Sequence, residues 1–162
     1  MGRNSTQRRE RDPMKAKQDS EMRDVLITIK SQQSLSGDED ALEFITQGKY
    51  AVDEEGAHFF YQESELTGMQ GTVTDFLVRP GQVVMSRKGT VTAQMIFQKG
   101  KKHHFAYETP YGMLTMGLDT HRLEHALGEN GGEMEIEYDL DLDHAVVSRN
   151  RFKIHVRDMK GN

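Results

Sequence analysis

The chain has no cysteine, no tryptophan and only three prolines in 162 residues. Without cysteine, disulfides, thiolate nucleophiles and thiolate metal sites are excluded, and a reducing cytosol is the expected location. Apolar runs such as Val25-Leu26-Ile27 are far shorter than the roughly 20 residues that a membrane-spanning helix needs. The N-terminus is charged and lacks the apolar stretch of a secretory signal. We therefore expect a cytoplasmic protein that has no membrane partner.

Charge is unevenly distributed along the chain. Residues 1–23 contain seven Lys or Arg and four Asp or Glu, whereas the remainder contains 14 basic and 22 acidic residues, a net charge of −8. Nucleic-acid binding requires basic patches, so this acidic body argues against a nucleic-acid partner. Residues 1–23 have almost no apolar side chains and no periodicity, which predicts a disordered arm or an expression leader, with a functional basic arm as the alternative. A single domain is predicted over 24–162.

From Asp24 onward, short segments rich in β-branched and aromatic residues alternate with turn signals. Ten strands are predicted, near 24–35, 41–52, 57–65, 70–78, 82–87, 90–98, 102–108, 111–118, 133–143 and 147–157. Such a pattern predicts an all-β antiparallel meander, and closure into a barrel would remove the two exposed sheet edges.

The stretch "DTHRLEHAL" at 119–127 is the exception to this strand pattern. It places Leu123 and Leu127 on one helical face and begins with two good capping residues, so it predicts one short helix. His121 and His125 would lie four residues apart on this helix, a spacing that can hold zinc, but Arg122 stands where a zinc-protease motif has its catalytic glutamate. No phosphate-binding loop or nucleophile elbow is present. No metal, cofactor or catalytic residue is therefore predicted.

Acidic side chains occupy every second position from 133 to 143 and therefore share one face of a strand. The following strand carries a basic row at alternate positions from 149 to 157. A hairpin that sets Asp143 opposite Arg149 places opposite charges across from each other along both rows, and each such pair contributes roughly 0.2–1 kcal/mol. The acidic row is thus interpreted as the solvent face of a terminal hairpin, with the apolar side chains of both strands buried.

Arg87 ends a strand on the same side as Val83 and Met85, so it is a candidate to point into the barrel. An inward arginine can anchor a carboxylate because its guanidinium is always ionised and binds both oxygens. The alternative is that Arg87 extends outward to water. The candidate neighbours are Tyr61, Tyr107 and Tyr111.

Glu63 and Glu65 are predicted to share a face at the end of a strand, just before the turn "LTGM". Two carboxylates at a barrel rim could act as an acid/base pair, and an exposed strand end is the alternative. Glu63 is also a candidate ligand-binding residue beside Arg87.

Three stretches carry a resemblance to a known family: "YQESELTGMQGTVTDFLV" (61–78), "SRKGTVTAQMIFQKGKKHHFAYETPYGMLTMGLDT" (86–120) and "GGEMEIEYDLDLD" (131–143). In these the chain resembles the YwiB-like family of small bacterial proteins. The resemblance implies a calycin-like β-barrel, similar in shape to lipocalins and fatty-acid-binding proteins. The family has no established activity, so no catalytic residue is implied, and the chain lacks the features of secreted lipocalins.

Three functions follow as hypotheses. The first is a cytosolic, non-enzymatic barrel that binds a small apolar or amphipathic ligand in its lumen. The second is a protein-interaction or homodimeric module with a barrel filled by side chains. The third is an enzyme built around Glu63, Glu65 and Arg87.

Overall fold

The computed structural model describes residues 22–159, and these form ten strands joined mostly by tight turns. The strands are β1 (Arg23–Leu35), β2 (Asp38–Asp53), β3 (Gly56–Gln62), β4 (Thr72–Arg79), β5 (Gln82–Gly89), β6 (Ala93–Phe97), β7 (Lys102–Thr109), β8 (Gly112–Gly128), β9 (Gly131–Leu142) and β10 (Ala145–Asp158). The predicted all-β antiparallel meander is confirmed. The predicted arm lies outside the described residues except at its end, where Arg23 already belongs to β1.

All ten strands belong to one sheet, in the order β6-β5-β4-β3-β2-β1-β10-β9-β8-β7. Each strand pairs antiparallel with its neighbours in this order, including β1 with β10. The outermost strands, β6 and β7, come together through a bridge between Thr92 and Glu108. Thr92 N donates to Glu108 O at 3.0 Å, and Glu108 N donates to Thr92 O at 2.9 Å. The sheet therefore curls into a nearly closed barrel.

The core fills one half of the barrel, towards the turns at 53–56, 79–82 and 128–131. Alternate side chains from every strand point inward there, as the period of two in a strand requires. Phe59 stacks on Phe76 with 4.8 Å between ring centroids, and Phe152 packs edge-on against Phe97 at 5.9 Å. The opposite half, bounded by the turns after β1, β3, β5, β7 and β9, contains the polar side chains described below.

The predicted helix at 119–127 is wrong, because these residues continue β8 and pair with β9. In a strand, Leu123 and Leu127 also share a face, and both pack against the core from β8. A bulge between Thr120 and Arg122 shifts the alternation by one residue, so Leu118 before it and Leu123 after it both face inward.

The terminal hairpin is confirmed as a charged outer face, but its register differs, and Asp141 of the acidic row is buried against Lys102 of β7. Arg149 lies opposite Asp139, not Asp143, and Arg151 lies opposite Glu137. The predicted and the observed registers both keep the acidic and the basic row on the same face. Opposite charges therefore still face each other across the two strands. Arg151 donates from Nε to Glu135 Oε2 at 2.8 Å.

Candidate functional site

A cavity of about 600 Å³ opens at the end of the barrel that the core leaves unfilled. Its apolar wall comes from several strands and includes Ile29, Leu42, Phe44, Phe76, Met85 and Phe152. One group of its polar residues lies on β3, β5, β7 and β9 and on the segment between β3 and β4. The lining is thus mixed: one polar wall contains Glu63 and Arg87, and a second polar group comes from β1, β2 and β10, namely Ser31, Gln32, Gln33, Asp40, Asn150 and Arg151.

Glu63 is the most enclosed charged group in that wall. Strand β3 ends at Gln62, and the backbone N–H of Glu63 donates to Thr72 O at 2.8 Å, which turns the side chain inward. The hydroxyl of Thr67 donates to Oε1 at 2.8 Å, and that of Thr74 donates to Oε2 at 2.5 Å. With its side chain 1% exposed, the carboxyl group has both oxygens occupied by hydroxyl donors.

Arg87 lies beside this carboxyl group because Thr74 on β4 pairs with Arg87 on β5. Its Nε donates to Thr74 Oγ1 at 3.3 Å and is 3.9 Å from Glu63 Oε2. The side chain is 20% exposed and lines the cavity. Within the described part of the chain, its terminal nitrogens Nη1 and Nη2 make no hydrogen bond. Arg87 therefore points inward, as one of the two alternatives predicted, with the end of its fork unoccupied.

Tyrosines complete the polar wall. Tyr61 is buried, and its pKa is raised by burial first and then by the neighbouring Glu63. Burial also raises the pKa of Tyr138, against a smaller lowering by Arg87. Tyr107 lines the same cavity. Because the pKa of Tyr61 and that of Tyr138 are both raised, these two hydroxyls stay protonated at neutral pH and remain hydrogen-bond donors.

Two sequence predictions about this wall are wrong. Tyr111 lies on the β7–β8 turn, 98% exposed, and does not line the cavity with Arg87. Glu65 is exposed in the segment after β3, because that strand ends three residues earlier than predicted. Glu63 and Glu65 therefore do not form a carboxylate pair on one strand face.

Three residues of the wall were not singled out by the sequence. Thr67 reaches Glu63 through the turn that follows β3, and Thr74 reaches it because β4 pairs with β3, and a hydroxyl in a turn or strand carries no distinguishing pattern. Tyr138 had a usable signal, since it interrupts the apolar face of the acidic strand between Ile136 and Leu140.

His121 and His125, which were predicted to lie on a helix, lie on β8 instead. His121 contacts Asp139 on the outer face, with 2.9 Å between Nε2 and Oδ2. Over residues 22–159, no group of three or more His, Asp or Glu side chains is arranged to hold a metal ion. No helix in that range is long and apolar enough to span a bilayer.

Comparisons with known proteins place this barrel in a family. A curated relative, the "Uncharacterized beta-barrel protein YwiB" of Bacillus subtilis (strain 168), is 27% identical over 118 residues, covering 73% of this chain and 82% of the relative. The crystal structure of the YwiB protein from Bacillus subtilis matches with a TM-score of 0.75 at 23% identity, over 85% of this chain and 92% of that one. The family model described as a domain of unknown function, DUF1934, matches residues 27–154. Since that match covers most of the chain, the protein belongs to the DUF1934 family, and the resemblance to YwiB is confirmed.

Proposed function

We propose that the protein is a non-enzymatic, cytosolic binding protein that takes a small amphipathic ligand with an anionic head group into the barrel. The observation that carries the proposal is that the end of the Arg87 fork, which makes no hydrogen bond within the described residues, lies in a cavity of about 600 Å³ with apolar and polar lining residues. Ligand cavities in proteins commonly measure about 300–1,000 Å³ and combine apolar walls with a few convergent polar groups. The eight-stranded barrels of lipocalins hold one small ligand, which shows that a barrel of about this size can act as a binding site.

Glu63 acts in this proposal as a positioning residue for Arg87. Its carboxyl group, together with Thr74, holds the Nε side of the guanidinium, so the two terminal nitrogens keep one orientation. A guanidinium held in this way can donate two parallel hydrogen bonds to a carboxylate or sulfonate. Tyr107 and Tyr138 lie in the same wall and supply further donors for the head group.

The same geometry argues against acid/base chemistry at Glu63. A general base must reach the proton it removes, at roughly 2.6–3.2 Å or through one water. Both oxygens of Glu63 already accept hydrogen bonds from threonine hydroxyls, and its side chain is almost fully enclosed. A binding role for this wall therefore agrees better with its contacts than a catalytic one.

Titration with dodecanoate, followed by isothermal calorimetry, tests the proposal. Arg87→Lys keeps a positive charge beside Glu63 but removes the planar fork. Losing a charge-assisted hydrogen bond of roughly 1.5–3 kcal/mol weakens binding by about 10- to 100-fold. The matched control is Arg149→Lys, at an exposed position on the outer face, which leaves the affinity unchanged.

A second substitution tests whether the ligand enters the cavity at all. Leu42→Trp adds bulk at a half-buried lining position, and it supplies a fluorescent reporter in a chain without tryptophan. The proposal predicts weaker dodecanoate binding and a shifted tryptophan emission when ligand is present. Equal affinity in the wild type, Arg87→Lys and Leu42→Trp proteins would place any binding outside the cavity and refute the proposal.

A second candidate function is an interaction or homodimeric module. The observation in its favour is a set of exposed apolar side chains on or next to the turns at the open end of the barrel: Leu35, Leu66, Tyr111, Met113, Leu114 and Val146. Exposed apolar groups concentrated in one region often mark an interaction surface. Sedimentation equilibrium distinguishes the candidates, because a dimer dissociated by Tyr111→Ser with Met113→Ser would favour the module, and a concentration-independent monomer would exclude the dimer.

A further inference from the structure

Strand β2 has an unpaired edge along much of its length. It pairs with β1 from Tyr50 back to Asp38, but its pairing with β3 begins only at Gly48. Among the described residues, no backbone hydrogen bond joins 38–47 to any segment other than β1. The barrel wall therefore contains a free strand edge about ten residues long.

The ladder geometry assigns the backbone groups that face outward along this edge. Leu35 and Asp38 flank the two-residue turn between β1 and β2, and the pair flanking such a turn is hydrogen-bonded across the hairpin. Bonding then alternates, so even-numbered residues of β2 bond β1. The odd-numbered residues direct their N–H and C=O groups outward: Glu39, Ala41, Glu43, Ile45 and Gln47.

This edge borders the cavity described above. Leu42 and Phe44 of β2 line the cavity from one side, and Leu66, Thr67 and Met69 of the segment after β3 line it from another. On the outer face, the side chains next to the free backbone groups include two carboxylates and the exposed Ile45. The edge thus presents Leu42 and Phe44 inward, with Asp40 beside them, and Glu39 and Glu43 outward.

We propose that this edge binds an extended basic segment of a partner protein by adding it as a further strand. Main-chain hydrogen bonds supply the affinity in such strand addition, and alternate side chains supply the specificity. A segment that alternates apolar and basic residues matches both rows, since its apolar side chains cover Leu42 and Phe44 while its basic ones meet Glu39 and Glu43. This interaction does not require a lumen ligand, although the added strand would cover two residues of the cavity lining, Leu42 and Phe44.

Charge decides between this partner and a second copy of the chain. Asp38, Glu39, Asp40 and Glu43 would bring eight carboxylates together if two β2 edges met, and like charges across strands are destabilising. Charged side chains on an edge also discourage self-association of sheets, which is one way that natural proteins manage free edges. A basic partner reverses that repulsion into attraction.

The test uses a defined probe, an acetylated and amidated octapeptide of alternating Lys and Val carrying a fluorescent label. Fluorescence anisotropy measures its binding to the wild-type protein and to Glu43→Lys, with Glu54→Lys as the matched control. Glu54 is exposed in the turn between β2 and β3, at the other end of the barrel. The proposal predicts at least tenfold weaker binding for Glu43→Lys and an unchanged affinity for Glu54→Lys.

A second peptide separates strand addition from simple charge attraction. Methylation of the peptide backbone nitrogens at alternate residues keeps every side chain and charge but removes the hydrogen bonds that an added strand makes. Ile45→Pro removes an outward N–H from the protein without removing a bond to β1, a position where proline is tolerated on an edge. Each change is expected to weaken binding at least tenfold, with amide shifts in the wild type concentrated at Glu39 to Gln47.

Two results would overturn the proposal. If the methylated peptide binds as tightly as its parent, the attraction is electrostatic and no strand is added. If sedimentation finds a wild-type dimer that Ile45→Pro dissociates, the occupant of the edge is a second copy. Circular dichroism of Ile45→Pro confirms that the barrel remains folded, and the methylated peptide gives an answer on the unaltered protein.

Discussion

The hydroxyl of Thr74 is the contact on which the polar wall most depends. It donates to Glu63 Oε2 at 2.5 Å and accepts from Arg87 Nε at 3.3 Å, so one oxygen joins both charged groups. Thr74 is fully buried, and Thr74→Val replaces it with a side chain of nearly the same shape. The substitution therefore removes the hydroxyl while leaving the packing of β4 intact.

The expected loss follows from the charge and enclosure of Glu63. A hydrogen bond to a charged group contributes roughly 1.5–3 kcal/mol, and water cannot replace the lost donor when the side chain is 1% exposed. Approach of Arg87 from 3.9 Å recovers part of that loss. We expect Thr74→Val to lower the free energy of unfolding by about 2 kcal/mol, which corresponds to about 6–8 °C in Tm for a domain of this size.

Urea unfolding followed by far-ultraviolet circular dichroism measures the change. Thr74→Ser keeps the hydroxyl and loses one methyl group, so it costs about 1 kcal/mol. Thr115→Val is the matched control, since Thr115 is exposed on β8 and its substitution is expected to stay within about 0.5 kcal/mol of the wild type. If Thr74→Val is as stable as the wild type, or if Thr74→Ser is as unstable as Thr74→Val, the hydroxyl does not hold the two charges together.

Three further predictions concern other parts of the barrel. Gly117→Ala places a Cβ 2.7 Å from a carboxylate oxygen of Asp141, so thermal denaturation should show a loss of about 1–2 kcal/mol, whereas Gly128→Ala has open space and should stay neutral; equal effects would contradict the packing. Lys102 donates to Asp141 and lowers the pKa of that carboxyl group below its usual 3.8. The stability from this pair is present above that value and lost as pH falls below it, and an acid limb of the stability–pH curve that Asp141→Asn leaves unchanged would refute the assignment. Burial raises the pKa of Tyr50 to about 12. The contribution of its neutral hydroxyl to folding stability is therefore present below about pH 10 and is lost as the pH rises towards 12. Tyr50→Phe should cost about 1 kcal/mol at neutral pH and flatten the alkaline slope in urea titrations, and an unchanged slope would count against it.

The fold was predictable from the sequence because strand alternation and turn residues agree along most of the chain. Where Gly or Pro occupies the turn, as at Pro80-Gly81, the predicted and observed strands meet closely. The terminal hairpin shows what such signals leave undetermined. Its turn is formed by Asp143 and His144, at φ values of 52° and 69°, a conformation that aspartate and histidine adopt more often than most residues but less often than the glycine that marks the other turns. The unexpected turn and a following bulge moved the register away from the predicted pairs.

Tertiary pairing overrode local pattern at the predicted helix. Leu123 and Leu127 are separated by four residues, and this spacing keeps them on one face of a helix and also on one face of a strand. The segment became a strand because β9 offers a complete antiparallel partner from Gly131 onward, and β7 pairs with the earlier part of β8. Neither partner can be recognised from the segment itself.

The polar wall was only partly predictable for a similar reason. Alternation from Val83 and Met85 correctly directed Arg87 inward, and Tyr61 and Tyr107 follow from the same rule. Strand alternation does not apply to Tyr111, because this residue lies in a turn and the turn determines the direction of its side chain. Glu63 is enclosed by a chain reversal after Gln62 that brings Thr67 over it, and no periodic signal describes such a reversal.

Native mass spectrometry of protein purified gently from a bacterial host tests the central claim most directly. Binding in the cavity predicts an additional mass of a small amphipathic molecule on the wild-type protein, released on denaturation and absent or reduced for Leu42→Trp. The Arg149→Lys protein, in which the change lies on the outer face, should carry the same additional mass as the wild type. A wild-type protein that carries no additional mass, and that also fails to gain one when dodecanoate is added, would contradict a ligand-binding lumen.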